Sequence, residues 1–455
     1  MSENINKEES KNIDEVIVDT EVYYTLEEKP PLGEILLLGF QHMLAMFVGI
    51  ITPPLIIAGV VGLNAADTTF FVSMALIVSG VTTFIQCYKV GPIGSGLLGV
   101  QGTSFNFVPM AIAAGNAGGL PLIFGMGLLA SPVEFIMSRF LKKARKYFPP
   151  IVSGAVVMLI GLSLVEVGLT DLAGGSGAEN FGNPLNLVLG TFVLIIIIIA
   201  NRFGNGLIKA GAIAIGLVIG YIVSIFFGMV DFTTVAETGW FTVPVPLKFG
   251  ISFDLAHLLP WILAYIITSV ETIGDLTAIA ETSGEDVDSD LHGKRLSGGL
   301  LADATGSALA AIFNSMPNST FSQNTGVIQM TKIGSRVVGY AVAGILIILG
   351  LFPKIGALIT VMPSPVLGGA TIALFGMVAT SGMKIAIKGG LTDRKVFILA
   401  ISLALGLGVI MKPSAVAELP EWISTLLSSG ILVGGITAFL LNLVLPKDEG
   451  EKYCD

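Results

Sequence analysis

Two carboxylic acids lie four residues apart within an otherwise apolar stretch of the sequence. Glu271 and Asp275 both fall in the segment 254–280. On a helix this spacing puts the two carboxyls on one face, and an ionisable residue inside a membrane helix costs about 2.5–3.5 kcal/mol on insertion scales. A low dielectric constant and mutual repulsion both disfavour the doubly charged state. One carboxyl of the pair should therefore bind a proton readily, which is the chemistry that a proton-coupled carrier requires.

A run of polar residues interrupts another apolar stretch and could bind a heterocycle. Gln323 and Asn324 carry primary amides, and Thr325 and Gly326 follow them. Each amide offers two donors and an acceptor, which suits a bidentate contact with a fused ring whose edge alternates N–H and C=O groups. We therefore predict that residues 322–326 hold a nucleobase of the purine type.

A nucleobase also needs a stacking surface, and an earlier interrupted stretch offers one. Phe105 follows Ser104 in a Gly-Thr-Ser-Phe sequence, and its ring can stack on a planar ligand. We expect Ser104 and Phe105 to line the same site as Gln323.

Three further ionisable residues lie in apolar segments. Asp303 could bond the interrupted stretch near residue 320 and hold it in place, or it could act directly. His42 could serve the site, or it could be a packing residue with satisfied hydrogen bonds. Asp303 and His42 join Glu271 and Asp275 as candidate proton-coupling groups, whereas the sequence suggests no role for Glu134.

The composition indicates which solvent surrounds these residues. Of the 455 residues, 53% are hydrophobic and only 13% are charged, whereas soluble domains carry about 25% charged residues. The mean hydropathy is +0.84, and runs near the roughly 20 residues that a spanning helix needs recur along the chain. We therefore predict an all-α polytopic membrane protein in the cell membrane, with the lipid bilayer as its surroundings.

The net charge of −9 does not indicate a basic partner, because nine acids and three lysines fall in residues 1–33. This polar segment is expected to be a mostly disordered cytoplasmic tail and not a cleaved signal peptide. No pattern indicates nucleic-acid binding. The two cysteines imply no disulfide framework, and with three histidines neither a metal nor another cofactor is expected.

Apolar runs between polar residues predict fourteen transmembrane segments. The third and tenth make poor helices, because Gly-Thr-Ser and Pro-Asn-Ser-Thr stretches stand where lipid favours leucine. The predicted segments are 34–62, 67–87, 92–114, 119–141, 149–167, 184–200, 208–230, 254–280, 296–315, 320–333, 337–361, 365–385, 394–411 and 427–445.

The distribution of Lys and Arg supports this map and orients it. If both termini are cytoplasmic, sixteen of the 24 basic residues lie in cytoplasmic loops, three in external loops and five in the two tails. Cytoplasmic loops of membrane proteins carry such an excess. The bias therefore predicts cytoplasmic termini.

Two pieces of sequence recur at nearly one spacing. Residues 103–105 resemble 319–321, and residues 150–155 resemble 365–370, at offsets of 216 and 215. With seven segments in each copy, the second copy would be inverted in the membrane. Inverted repeats with interrupted segments at matching positions are typical of transporters whose site lies at the membrane midplane. We expect a short β-strand in each of segments 3 and 10, pairing at mid-membrane, since irregular backbone there must be covered.

The stretch 323–332 fills every fixed place of a signature that runs Gln or Glu, Asn, any residue, Gly, four residues of any kind, Thr, then Lys, Arg or Gly. On that stretch, and on Gln41-His42, residues 94–98, Glu271 with Asp275, and Ala302-Asp303, the chain resembles the nucleobase–ascorbate transporters. Within that family it is similar to bacterial xanthine and uric acid permeases. The resemblance runs from about residue 30 to residue 446.

The resemblance implies proton-coupled uptake, a homodimer and two inverted sevens arranged as core and gate domains. It implies that Glu271 and Gln323 contact substrate, that Asp303 and Asn324 are needed for function and that His42 lies near the site. The implied division is an N-terminal tail at 1–33, core domain at 34–147 and 254–361, gate domain at 148–253 and 362–446, and a C-terminal tail at 447–455.

Substrate specificity remains open between alternatives. Uracil carriers of the family have Glu at the position of Gln323, so Gln favours a purine. The xanthine permeases tend to have Asn where this chain has Ser104, and the smaller residue also makes urate plausible. An anion transporter or channel on the same fold is the second class of function, although two acids at the site count against it. A membrane enzyme is the third, but no zinc motif or catalytic triad supports it.

Overall fold

The computed structural model describes residues 23–446 except 141–148, 288, 388–389, 417, 420–426 and 428. The predicted tails at 1–22 and 447–455, and most of the basic loop after the fourth predicted segment, lie outside the described residues.

The described chain is mainly helical, and its two short strands pair with each other. Proline begins several helices at their first turn, where its missing N–H costs nothing. The helices are α1 Leu32–Val61, α2 Ala65–Tyr88, α3 Val108–Ala130, α4 Pro132–Arg139, α5 Pro150–Leu172, α6 Pro184–Phe203, α7 Leu207–Ala210, α8 Ala212–Phe226, α9 Thr233–Glu237, α10 Leu258–Thr282, α11 Asp290–Ile312, α12 Gln323–Thr331, α13 Arg336–Leu351, α14 Pro353–Thr360, α15 Ser364–Ala386, α16 Asp393–Met411 and α17 Gly430–Val444. The strands are β1 Gln101–Thr103 and β2 Asn318–Thr320.

Eight helices of the described chain are long and apolar enough to cross a membrane, or nine if α13 and α14 count as one span. Helices α8 and α17 are apolar but shorter. These helices make the chain an integral membrane protein, as its composition predicts.

Breaks in the helices fall at one predicted boundary and inside two predicted segments. Helix α3 has non-helical backbone at Gly118 and at Gly119, whose φ of 66° suits glycine, and this break lies at the boundary between the predicted segments 92–114 and 119–141. The predicted segment 119–141 breaks again between Ala130 and Pro132, where α4 begins. The segment 337–361 is bent by 75° between α13 and α14. Sequence hydropathy could not detect the breaks after Ala130 and Leu351, since the residues around them remain apolar.

The prediction of a disordered N-terminal tail is wrong for residues 23–31. The backbone N–H of Tyr23 donates to the carbonyl of Lys332 at 2.8 Å, and that of Gly334 donates to the carbonyl of Tyr24 at 2.9 Å. The side chain of Leu26 is only 1% exposed and joins an apolar cluster with α10 residues. This segment therefore lies against the loop that follows α12.

Helices α5 and α15 pack against each other through glycines spaced seven residues apart. A Cβ at Gly154 would lie 2.5 Å from the backbone nitrogen of Ala386, and one at Gly161 would lie 2.4 Å from that of Ala379. Small residues that let backbones approach are typical of helix contacts in membranes. Gly154 of α5 lies at Ala386 of α15, and Gly161 lies at Ala379. Residue numbers along the contact therefore rise in α5 and fall in α15, so the two helices are antiparallel. They begin at the two copies of the second sequence repeat.

Candidate substrate site

The two strands meet inside the protein and provide its polar centre. They are antiparallel, with Gln101 opposite Thr320 and Thr103 opposite Asn318, and all six strand residues are buried. Gly102 is required at the crossing, because a Cβ there would lie 2.2 Å from the Phe321 ring. The first sequence repeat thus falls on two segments that lie side by side.

A helical segment begins directly after each strand. A 3₁₀ turn at Phe105–Phe107 leads from β1 into α3, and its cap is Ser104, whose hydroxyl accepts from the N–H of Asn106 at 3.3 Å. Helix α12 begins three residues after β2. Helix N-termini present free N–H groups and favour negative charge. A ligand bound between the two breaks would therefore lie near both helix N-termini.

Both acids of α10 bond to these breaks. Asn106 Nδ2 donates to Glu271 Oε2 at 2.6 Å, and Ser322 Oγ donates to Asp275 Oδ2 at 3.0 Å. Helix α10 therefore joins the break after β1 to the break after β2. Asn106 is absent from the residues predicted for the site, although it is an amide inside an interrupted segment, as Gln323 is.

Asn324 and His42 form a buried pair that fixes α12 against α1. His42 Nδ1 lies 2.8 Å from Asn324 Oδ1, and Asn324 Nδ2 donates to the carbonyl of Leu98. Because the amide nitrogen is engaged by Leu98, the amide oxygen must accept, so His42 Nδ1 carries the hydrogen. Both side chains are buried, so the pair holds α12 in position against α1 within the site.

Asp303 lies behind the strands. It accepts from the hydroxyl of Thr272 on α10 and from Thr320 Oγ1 at 3.3 Å, while Gln101 Nε2 donates to Thr320 Oγ1 at 2.8 Å. This is the contact with the interrupted stretch that the sequence suggested for Asp303. The carboxyl ties β2 to α10 and, through Gln101, to β1.

Phe105 and Ser104 are buried and directly precede Asn106, which bonds Glu271, and the Phe105 ring packs edge to face on Phe375 of α15 at 5.7 Å between centroids. Gln323 is partly exposed at the first turn of α12. Gly326 is exposed, and a Cβ there would meet no atom within 4 Å.

Thr325 differs from its neighbours because its hydroxyl is buried without a hydrogen-bond partner among the described residues.

An apolar cavity of about 140 Å³ lies next to the site, between α3, α10, α5 and α17. Met110 and Val270, close in sequence to Asn106 and Glu271, line it. Within the described residues no cluster of three or more His, Cys, Asp or Glu side chains could hold a metal ion.

Helical spans broken at a buried point, with acids, amides and an aromatic ring around it, define a membrane carrier for a small polar molecule. A family model, Xan_ur_permease, described as a permease family, matches residues 33–415. The chain belongs to this family, that of the nucleobase–ascorbate transporters, and is a permease and not an enzyme.

Individual proteins show the same likeness. The chain is 46% identical to the xanthine permease XanP of Escherichia coli K12 over 444 residues, which cover 95% of this chain and 96% of that protein. It is 40% identical to the xanthine permease XanQ of the same strain over 439 residues, 94% of each. Among solved structures, the transmembrane domain of the cyanobacterial bicarbonate transporter BicA matches with a TM-score of 0.56 at 15% identity, covering 92% of this chain and 99% of that domain. This last likeness shows the fold alone.

Proposed function

We propose that this permease is a proton symporter that imports an oxidised purine, xanthine or urate, across the cell membrane. The observation that carries the proposal is the pair of hydrogen bonds from the two breaks to Glu271 and Asp275 on one helix. A carboxyl that bonds to the element lining the ligand space can couple the gain or loss of its proton to the binding or release of substrate. The names of XanP and XanQ support the purine.

The proposed substrate contacts are Glu271, Gln323, Phe105, Ser104 and Gly326. The Gln323 amide would pair with the edge of the purine, Phe105 would stack on its face, and the open space at Gly326 would leave room for it. Asn106 would orient the Glu271 carboxyl. Asp275, Asp303 and His42 complete the proposed proton-coupling set, and Asn324 and Thr325 support α12.

We infer fourteen segments from the described helices. Gly118 and Gly119 divide the long helical stretch Phe105–Arg139 into two segments, and the bent pair α13–α14 makes one. Adding α8, α11, α17 and the short β2–α12 unit to the remaining long helices gives seven segments in each half. Both termini would then be cytoplasmic, as the Lys and Arg distribution favours.

We further infer the core and gate domains from the packing. The core would comprise α1–α4 and α10–α14 around the strand pair, and the gate would comprise α5–α9 and α15–α17 around the glycine contact of α5 with α15. Substrate would bind between them, near the Phe105–Phe375 contact. A homodimer is proposed from the resemblance of the chain to its family.

Uptake of radiolabelled xanthine and urate into cells that express the protein tests the proposal. We expect accumulation that a proton uncoupler abolishes. Accumulation that survives the uncoupler but needs sodium would contradict proton coupling. Uptake of bicarbonate or sulfate without any purine uptake would favour the anion-transporter alternative, for which the fold likeness is the sole support.

A further inference from the structure

Glu134 is a buried carboxyl outside the proposed substrate contacts. It lies in the first turn of α4, and its side chain is inaccessible to solvent. Thr268 Oγ1 of α10 lies 2.8 Å from Glu134 Oε1, whereas Glu134 Oε2 has no hydrogen-bond partner among the described residues. A buried carboxylate with one oxygen unsatisfied carries a large desolvation cost, so this environment favours a carboxyl that holds a proton.

The neighbouring acid has the opposite environment. Asp303 accepts from the hydroxyls of Thr272 and Thr320, one at each oxygen. Thr268 bonds Glu134 and Thr272 bonds Asp303, and these two threonines lie one turn apart on the same face of α10, so the two acids are neighbours. Donors at both oxygens stabilise the charged form. When the two acids share one proton, the donor pattern assigns the charge to Asp303 and the proton to Glu134.

The hydroxyl of Thr268 can serve Glu134 in either protonation state. It lies 3.2 Å from the carbonyl oxygen of Ala264 and 3.1 Å from that of Tyr265, besides its contact with Glu134. The single hydroxyl hydrogen can point to a charged Glu134, or to the helix carbonyls while a protonated Glu134 donates to Thr268. Both arrangements keep the heavy atoms in place, so Thr268 can adapt to a change in the protonation state of Glu134 by rotating its hydroxyl.

Helix α10 connects Glu134 with the site. Thr268, Glu271, Thr272 and Asp275 lie within about 100° of the helix circumference at 3.6 residues per turn. Among the described residues, Tyr265 is a further titratable group close to Glu134, and its hydroxyl donates to the carbonyl of Gly127 at 2.8 Å. Helix α3, which precedes α4, contains no titratable residue.

We propose that Glu134 is a second proton-carrying carboxyl of this permease, which binds and releases a proton during each cycle in exchange with Asp303. The O–H bond of Glu134 breaks as one forms on the Asp303 carboxylate, so the net charge of the pair is conserved within that step. The proposal rests on the proposed proton symport. It adds Glu134 as a residue that couples transport to the proton and Thr268 as the residue that positions Glu134.

Infrared titration of the purified permease tests Glu134 without any substrate. We expect a protonated-carboxyl band that titrates in the wild type and is missing in Glu134→Gln. Thr268→Val removes a donor to the charged form, so the midpoint of that band should move up by about one pH unit. Thr282→Val, which removes a hydroxyl from the end of the same helix, is the control. A Glu134→Gln spectrum identical to that of the wild type would overturn the proposal.

Transport in proteoliposomes provides the second measurement. Glu134→Gln should keep xanthine counterflow within about twofold of the wild type, yet lose at least tenfold of the accumulation driven by a pH gradient. Wild-type accumulation in Glu134→Gln would overturn the proposal. A wild-type protein without xanthine uptake would instead contradict the proposed function, and the infrared titration would still decide whether Glu134 exchanges a proton.

Discussion

Asn106 Nδ2 lies 2.6 Å from Glu271 Oε2 and joins the break after β1 to helix α10. One helical turn further along α10, Asp275 accepts from Ser322 in the break after β2. Each broken span is therefore bonded through a side chain to the same helix. A ligand that displaces or strengthens one of these bonds changes the environment of a carboxyl, which is the physical requirement for coupling substrate to protons.

Replacing Glu271 by Gln should abolish concentrative uptake of xanthine. The amide keeps the size of the side chain but can neither take up nor release a proton. Accumulation of radiolabelled xanthine in cells is the measurement, and Glu281→Gln, at an exposed position on the same helix, is the control. Normal accumulation by Glu271→Gln would show that the coupled proton is carried elsewhere.

The helices could be predicted from the sequence, because their apolar runs contrast with polar loops. The strand pair was also predicted, since small polar residues interrupt two segments at matching repeat positions. The register of Gly102 opposite Ser319 required the structure, because it depends on ring packing by Phe321. Likewise, no local pattern relates His42 to Asn324, which are 282 residues apart.

The N-terminal segment shows a different limit. Its charge and polarity are typical of disorder, but backbone groups of residues 23–26 bond to residues 332–336, Leu26 is buried, and Glu27 pairs with Arg336 at 2.6 Å. Composition alone cannot detect an association made by backbone hydrogen bonds and an ion pair with residues about 300 positions further along the chain.

Replacing Asn106 by Ala should weaken xanthine binding about tenfold. The change removes the donor that holds the Glu271 carboxylate, and a hydrogen bond to a charged group contributes about 1.5–3 kcal/mol. Competition binding to the purified protein measures the effect, with the exposed Asn116→Ala on α3 as the control. Equal affinities for all three proteins would indicate that Asn106 does not orient Glu271 in the bound state.

Replacing Gln323 by Glu should weaken purine binding and shift preference toward pyrimidines. A carboxylate accepts hydrogen bonds but cannot donate, so the purine acceptor that faced the amide N–H₂ would lose its partner. Competition of xanthine uptake by a panel of nucleobases is the measurement. Gln329→Glu places the same charge at an exposed position on α12, and an unchanged ranking of bases in Gln323→Glu would contradict the proposed contact.

Replacing Gly161 by Ala should destabilise the contact of α5 with α15. The added methyl would lie 2.4 Å from the backbone nitrogen of Ala379, which cannot move without its helix. Overpacking of this kind costs about 1–3 kcal/mol, and thermal unfolding in detergent would report it. Gly376→Ala, on α15 where an added Cβ meets nothing within 4 Å, should unfold as the wild type does. Equal stability of the two variants would mean that the helices separate at little cost.

Replacing Leu26 by Ala should release the N-terminal segment from the loop after α12. The change removes most of a side chain that is 1% exposed, and such truncations cost about 2–5 kcal/mol in a well-packed core. The N–H groups of Gly334 and Arg336 bond to the carbonyls of Tyr24 and Leu26 at 2.9 and 3.1 Å. Their hydrogen exchange should therefore accelerate at least tenfold, since local opening sets the rate.

Tyr23→Ala is the matched control for this change, because the Tyr23 side chain is 73% exposed and its bond to Lys332 is made by the backbone. We expect exchange at Gly334 and Arg336 to stay at the wild-type rate in this variant. Mass spectrometry of peptides covering residues 332–336 measures the hydrogen-exchange rate in both variants. If Leu26→Ala exchanges no faster than Tyr23→Ala, the backbone bonds and the Glu27–Arg336 ion pair are enough to hold the segment, and the buried leucine side chain contributes little to its position beside the end of α12.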